Sequence, residues 1–210
     1  MQQINANSTD VIFASSNIGK INEISKILPA NLNIIPQNTL GIGTKITLAS
    51  EDAPTFVENA LIKARLASKI SGCPSIADDS GLAVEYLHGA PGVHTARFAG
   101  DHATDEDNIN KLLLELEGVP FKNRKAKFHC VLVFINNYQD PAPLIAHSCW
   151  SGYILDKPQG SSGFGYDPVF YLQDKNCTSA ELPITEKNIL SHRGQACRKL
   201  VEMIKHQGIF

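Results

Sequence analysis

Short apolar runs alternate with amphipathic stretches of helical period along the chain, the pattern of an α/β protein. "VIFAS" over residues 11–15 is a buried-strand run, and a polar, glycine-containing turn follows over residues 17–20. Ile21, Ile24, Ile27 and Leu28 then recur at helical spacing until Pro29 ends the helix. Thr55, with Glu58 three positions on, fits a capping box opening the helix "FVENALIKARLASKI". The small apolar face of that helix, Phe56, Ala60, Ala64 and Ala67, suits close packing. Gly72 and Pro74 break the chain before a short strand, "SIA". Thr104 and Asp107 predict a second capped helix carrying Leu112, Leu113 and Leu116, stopped by Gly118 and Pro120. "KFHCVLVFI" (127–135) and "LIAHSCWSGYIL" (144–155) are the most strand-like stretches, and the polar connection at 136–141 suits an antiparallel turn. Ser191 can cap a last helix running through Ala196, Leu200, Val201 and Ile204.

No repeat or low-complexity linker separates these elements, so residues 1–210 are expected to form one domain built on a mixed sheet, with two lobes around a cleft. Composition narrows the class further. With 43% hydrophobic and 19% charged residues, the 210-residue chain is an ordinary globular protein with enough length for a sizeable core. A net charge of -2 gives no broad attraction to nucleic acid or an anionic membrane, although it allows a small basic pocket. Five dispersed cysteines, with no C-x-x-C, read as buried thiols in a reducing compartment. No stretch approaches 18 apolar residues and the start lacks a basic-then-apolar leader, which points to the cytoplasm.

Four segments can carry chemistry. In "SSNIGK", backbone N–H groups after a strand and the following helix N-terminus can hold an anion, with Lys20 adding charge; the alternative is an ordinary strand–helix turn. "QGSSGFGYDP" sets three glycines around two aromatics. Phe164 or Tyr166 can stack on a base, or the aromatics can plug the core. "SHRGQA" places His192 and Arg193 at a helix start, where cations are disfavoured unless an anion sits there; Lys187 is a third donor. The adjacent Asp78 and Asp79, with Glu51 from another segment, are oxygen donors of the kind magnesium takes, or solvated loop carboxylates. If Asp78 and Asp79 lie in a strand, they point to opposite sides and make a poor pair for one metal.

The marks "SSNIGK", "TFVENALIKA", "IADDSGLAVEYLHGAPGVHTARFAG", "GSSGFGYDPVF", "AEL" and "EKNILSHRGQA", in this order, resemble the inosine/xanthosine triphosphate pyrophosphatase (Ham1-like) family from Ser15 to the last helix. The resemblance implies an elongated, mainly β-sheet core flanked by helices, with two lobes around a central active-site cleft, commonly as a homodimer. It implies magnesium-dependent hydrolysis of dITP, ITP and XTP to the monophosphate and pyrophosphate; no nucleic acid or membrane partner is expected, on the net charge. Ser15, Ser16, Asn17, Ile18, Gly19 and Lys20 match triphosphate contacts. Asp79 matches the proton acceptor and metal ligand, with Ser80 a substrate contact and Glu51 a second metal position. Phe164, Gly165, Tyr166 and Asp167 match the nucleoside-recognition loop, and Lys187, His192 and Arg193 the remaining substrate positions.

The chain departs from the family pattern where Ser50, Glu51, Asp52 and Ala53 replace a glutamate pair followed by Thr-Gly. It departs again at Thr95 and Phe98, positions more often Ser and Tyr. Two rivals remain at this stage: a phosphatase for other modified nucleotides, which would release orthophosphate, and a non-catalytic nucleotide sensor, for which Asp79 would be dispensable.

Overall fold

The computed structural model describes residues 9–15, 17–25, 32–40 and 52–208. Seven strands form one sheet in the order β2-β1-β3-β4-β5-β6-β7. They are β1 (Thr9–Phe13), β2 (Leu32–Pro36), β3 (Ser75–Val84), β4 (Lys125–Ile135), β5 (Leu144–Ile154), β6 (Phe170–Leu172) and β7 (Cys177–Thr178). β1 pairs in parallel with β2 and β3, whereas β6 pairs antiparallel with β5 and β7. The sheet is therefore mixed, and helices α1 (Ile18–Ser25), α2 (Phe56–Ser71), α3 (Asp105–Glu115), α4 (Ile184–Leu190) and α5 (His192–His206) complete the α/β fold.

The local signals act as expected at several boundaries. Thr55 Oγ1 accepts the Glu58 N–H, and Gly72 closes α2 in the left-handed region at φ 74°. Around α3 the box is reciprocal: Thr104 Oγ1 accepts the Asp107 N–H while the Asp107 carboxylate accepts the Thr104 N–H. Ser191 Oγ accepts the Gly194 N–H at the start of α5. The polar turn expected over residues 17–20 is shorter, because α1 already begins at Ile18. Asn17 Oδ1 accepts the Lys20 N–H and so caps the helix, which draws Gly19 and Lys20 into its first turn. The strand expected at "SIA" runs on to Val84 and carries both aspartates within it.

The chain divides into two compact units. The first comprises the described residues within Met1–Asp79, Val131–His147 and Ala196–Phe210. Its core sets the alanine stripe Ala60, Ala64 and Ala67 of α2 against Ile12, Ala14, Ala77, Val131, Val133 and Ile135. Alanines let the helix approach the strands closely, so a larger residue there would overpack the contact by about 1–3 kcal/mol. Arg65 fastens the 136–143 connection by donating to Tyr138 O (2.6 Å) and Asp140 O (3.0 Å).

The second unit, Ser80–Cys130 and Ser148–Gln195, has its own core. Leu82, Leu112, Leu116, Phe128, Trp150, Ile154, Tyr166 and Phe170 are among its members. Arg124 is buried there and donates to three main-chain carbonyls: Val119 O (2.9 Å), Leu116 O (2.9 Å) and Leu155 O (3.1 Å). One of the three, Leu116 O, lies just past the end of α3, where carbonyls lack a helical N–H. Among the described residues, no helix is long and apolar enough to cross a membrane.

Candidate active site

In the first unit the chemistry gathers around β3. Asp78 and Asp79 are both buried and adjacent in one strand, so their side chains diverge, and each has its own lysine. Lys20 Nζ, from α1, lies 2.6 Å from Asp78 Oδ2. Lys63 Nζ, from α2, lies 2.9 Å from Asp79 Oδ1, and Asn59, one helical turn earlier, donates to Asp79 Oδ2 at 3.4 Å. Asn59 also exchanges two hydrogen bonds with the Ala53 backbone, which ties the start of α2 to the preceding chain.

Burial raises the Asp79 pKa above the ordinary value of 3.8, with the Asp78 charge adding to the rise; the Lys63 charge and hydrogen bond and the Lys20 charge act against it. The result is a carboxylate that is a better proton acceptor than a solvated aspartate, held between two donors. Ser80 follows Asp79 directly in β3.

The turn before α1 is fixed by its own side chains. Ser15 Oγ accepts the Asn17 N–H at 3.2 Å, and Asn17 caps the helix as described. Gly19 and Lys20 stand in its first turn, and Ile18 is its first residue. Ser16 and Glu51, both named as site residues from the sequence, lie outside the described residues.

The second unit holds a loop at residues 163–167 flanked by two cationic side chains, Lys187 and Arg193. Asp167 is its hub. Asp167 Oδ2 accepts the Phe164 N–H (2.9 Å) and Lys187 Nζ (2.6 Å), and Oδ1 accepts the Ser179 hydroxyl (2.7 Å). A Cβ on Gly163 would run into the Asp167 carboxylate and come within 3.1 Å of Lys187 Nζ, and its φ of 86° is one that side chains rarely adopt. The two aromatics divide their roles. Tyr166 is in the core and donates its hydroxyl to Thr95 O (3.0 Å), whereas Phe164 is half-buried with Lys187 Nζ 5.4 Å and Arg193 Cζ 5.3 Å from its ring centre. Gly165 donates its N–H to Asp105 Oδ2 at 2.6 Å. His192 is buried and stacks on Phe128 with ring centres 4.8 Å apart. Arg193 is buried beside it in the first turn of α5.

Sequence reasoning passed over Lys63, Asn59, Asp105 and Ser179. A signal for the first two existed: Asn59 and Lys63 fall next to Ala60 and Ala64 on the apolar face of α2, where a polar side chain must find a buried partner. Asp105 and Ser179 reach the loop from distant segments, and nothing local marks them.

These parts define a mixed α/β protein with a buried, cation-held aspartate in one unit and an aromatic, cation-flanked loop in the other. The Ham1 family model matches residues 11–203, and the chain belongs to that family. It is 48% identical over 198 residues to the dITP/XTP pyrophosphatase of Vibrio cholerae, covering 94% of this chain and 97% of that protein. The dITP/XTP pyrophosphatase of Escherichia coli (strain K12) is 45% identical, with 93% and 98% covered. Among solved structures, a HAM1 protein from Coxiella burnetii superimposes with a TM-score of 0.84 at 44% identity, covering 94% of this chain and 99% of that one.

Proposed function

We propose that this protein hydrolyses deaminated purine nucleoside triphosphates, dITP, ITP and XTP, to the monophosphate and pyrophosphate, clearing them from the nucleotide pool. The observation that carries the reading is the near full-length agreement with dITP/XTP pyrophosphatases at 48% and 45% identity. The two units belong, in this reading, to one Ham1-like domain, because the family match runs through the segments of both.

Asp79 is the proton acceptor. It takes a proton from the water that attacks the α-phosphorus, and the P–O bond to the β-phosphate breaks, releasing pyrophosphate. Its raised pKa brings it closer to the operating pH, where a general base is most effective. Lys63 and Asn59 each hold one oxygen of the carboxylate and so fix its orientation for the proton transfer. Lys20, Lys187 and Arg193 balance the phosphate charge, with Ser15, Ser16, Asn17, Ile18, Gly19 and Ser80 as further contacts to substrate. Phe164, Gly165, Tyr166 and Asp167 form the nucleoside loop, with Phe164 the stacking surface. Donors among Lys187, His192 and Arg193 select a 6-oxo purine, since the 6-amino group of adenine would leave a donor facing a donor.

Magnesium belongs to the reading, held by Asp79 and Glu51, and when bound it neutralises phosphate charge. The donor chemistry fits: Asp79 offers the carboxylate oxygen that magnesium prefers. Among the described residues no group of three or more His, Cys, Asp or Glu side chains forms a metal cage. Magnesium does not need one, because substrate phosphates and water complete its shell. The protein is taken to be a cytoplasmic homodimer without nucleic-acid or membrane partners.

A nucleotide panel assayed with and without magnesium, with pyrophosphate resolved from orthophosphate, tests the reading. Pyrophosphate from ITP and XTP, weak turnover of ATP and GTP, and loss of activity on chelation are expected. Orthophosphate as the product would overturn it.

A further inference from the structure

The backbone on both sides of Phe164 is clamped by a carboxylate. Its own N–H is held by Asp167 Oδ2 at 2.9 Å, and the next N–H, of Gly165, by Asp105 Oδ2 at 2.6 Å. The flanking Gly163 and Gly165 have φ of 86° and 60°, so without those bonds the peptide units around the ring have unusually wide freedom to rotate. The Asp167 clamp comes from within the loop. The Asp105 clamp comes from the first residue of α3, 60 positions away in the chain, so of the two clamping carboxylates it is the one supplied by a separate element.

That element is itself rigid. The Thr104–Asp107 capping box fixes its first turn, and Asn108 holds the chain before it by accepting the Ala99 N–H (2.8 Å) and donating to Ala96 O (3.1 Å). A carboxylate at a helix N-terminus already has a favourable place. A short, charge-assisted bond to a distant glycine N–H goes beyond that placement and belongs to the stronger class of hydrogen bond.

We propose that Asp105 is a positioning residue for the nucleobase platform and thereby sets base discrimination, an inference that rests on the nucleotide-hydrolysis reading above. Stacking on an aromatic ring accepts every base, because every base has a π-face. Discrimination needs hydrogen-bonding groups at fixed positions relative to that ring. With Asp105 in place, the Gly165 N–H is consumed and the ring direction is set. Without it, the peptide between Phe164 and Gly165 can turn and offer its N–H to a base indiscriminately.

The test compares wild type, D105A and D105N for ITP and GTP hydrolysis, with equilibrium binding of both nucleotides and thermal melting measured alongside. Asp105 is exposed, so both variants are expected to fold, with a small drop in melting temperature from the lost helix N-terminal charge. D105A should raise the KM for ITP by about 10-fold with kcat within about 2-fold, and lower the ITP:GTP ratio of kcat/KM by about 5-fold. D105N keeps an acceptor at the same place and should restore most of both. A D105A enzyme with unchanged KM and unchanged ITP:GTP ratio would overturn the inference while leaving pyrophosphate release intact. So would D105N behaving as D105A does, since a charge effect without the bond would then suffice. If wild type releases no pyrophosphate from ITP yet binds it in preference to GTP, and D105A erases that preference, the hydrolytic reading falls and the role of Asp105 stands. Absence of any preference in wild-type binding overturns both.

Discussion

Lys63 Nζ stands 2.9 Å from Asp79 Oδ1, with both side chains about one-tenth exposed. The pair joins α2 to β3 and sets how readily Asp79 holds a proton. Lys63→Met removes the largest influence opposing the burial-driven rise in the Asp79 pKa, so that pKa climbs further. Since the base works deprotonated, activity is lost as pH falls through its pKa. The acid limb of kcat/KM should shift to higher pH in the variant than in wild type. An unshifted acid limb would separate Lys63 from the proton acceptor. Breaking one side of a buried pair also costs about 3–5 kcal/mol of stability, readable by denaturant unfolding.

Asp79→Asn removes the base and keeps the shape. Hydrolysis of ITP should fall by about 10²–10⁴-fold, the usual contribution of a positioned general base. Nucleotide binding should persist. Preserved turnover would leave Asp79 without its assigned role as the proton acceptor.

Gly163→Ala probes the loop directly. Its Cβ would collide with Asp167 and force a positive φ on a side-chain-bearing residue. A strained left-handed residue alone costs about 1–3 kcal/mol, and the collision adds to it. Thermal melting should drop and the KM for ITP should rise. An unchanged KM would show that the Asp167–Lys187 contact tolerates displacement.

Asp140 gives a pH-dependent stability term far from the chemistry. Burial would raise its pKa, but the N–H groups of Asn136 and Ala142, the Asn136 amide and the Arg65 charge outweigh that and hold the carboxyl below 3.8. A depressed carboxyl stabilises the fold above the unfolded value and loses that contribution as pH falls through the folded one. Asp140→Asn should therefore melt earlier than wild type at neutral pH. The gap should narrow on acidification below the ordinary aspartate range, and a gap constant with pH would remove Asp140 as its source.

Much of the fold was legible because single residues mark its boundaries: Thr55 and Gly72 bracket α2, Thr104 and Asp107 open α3, and Ser191 opens α5. Less visible was the length of β3. Two adjacent aspartates read locally as a strand end, and the lysines that pair with them when buried come from distant segments, α1 and α2. β2 and α4 also went unread: "LNIIP" is short, and α4 has seven residues with no side-chain cap. The candidate site followed the same rule. Residues within quoted motifs could be named, while the Ser179 and Asp105 bonds to the loop depend on which distant segments the fold brings together, and period and spacing do not encode that.

Arg124 spends its guanidinium wholly on main-chain oxygens. Every residue type presents the same carbonyl, so these bonds do not depend on the side chains of Leu116, Val119 and Leu155; Leu116 and Val119 are held to type separately, by the core they fill. The whole requirement falls on position 124, and a lysine there, with one ammonium in place of a planar fork, cannot reach all three. The three bonds are thus tolerant at their acceptors and intolerant at their donor, an asymmetry that Arg124→Lys would display as lost stability.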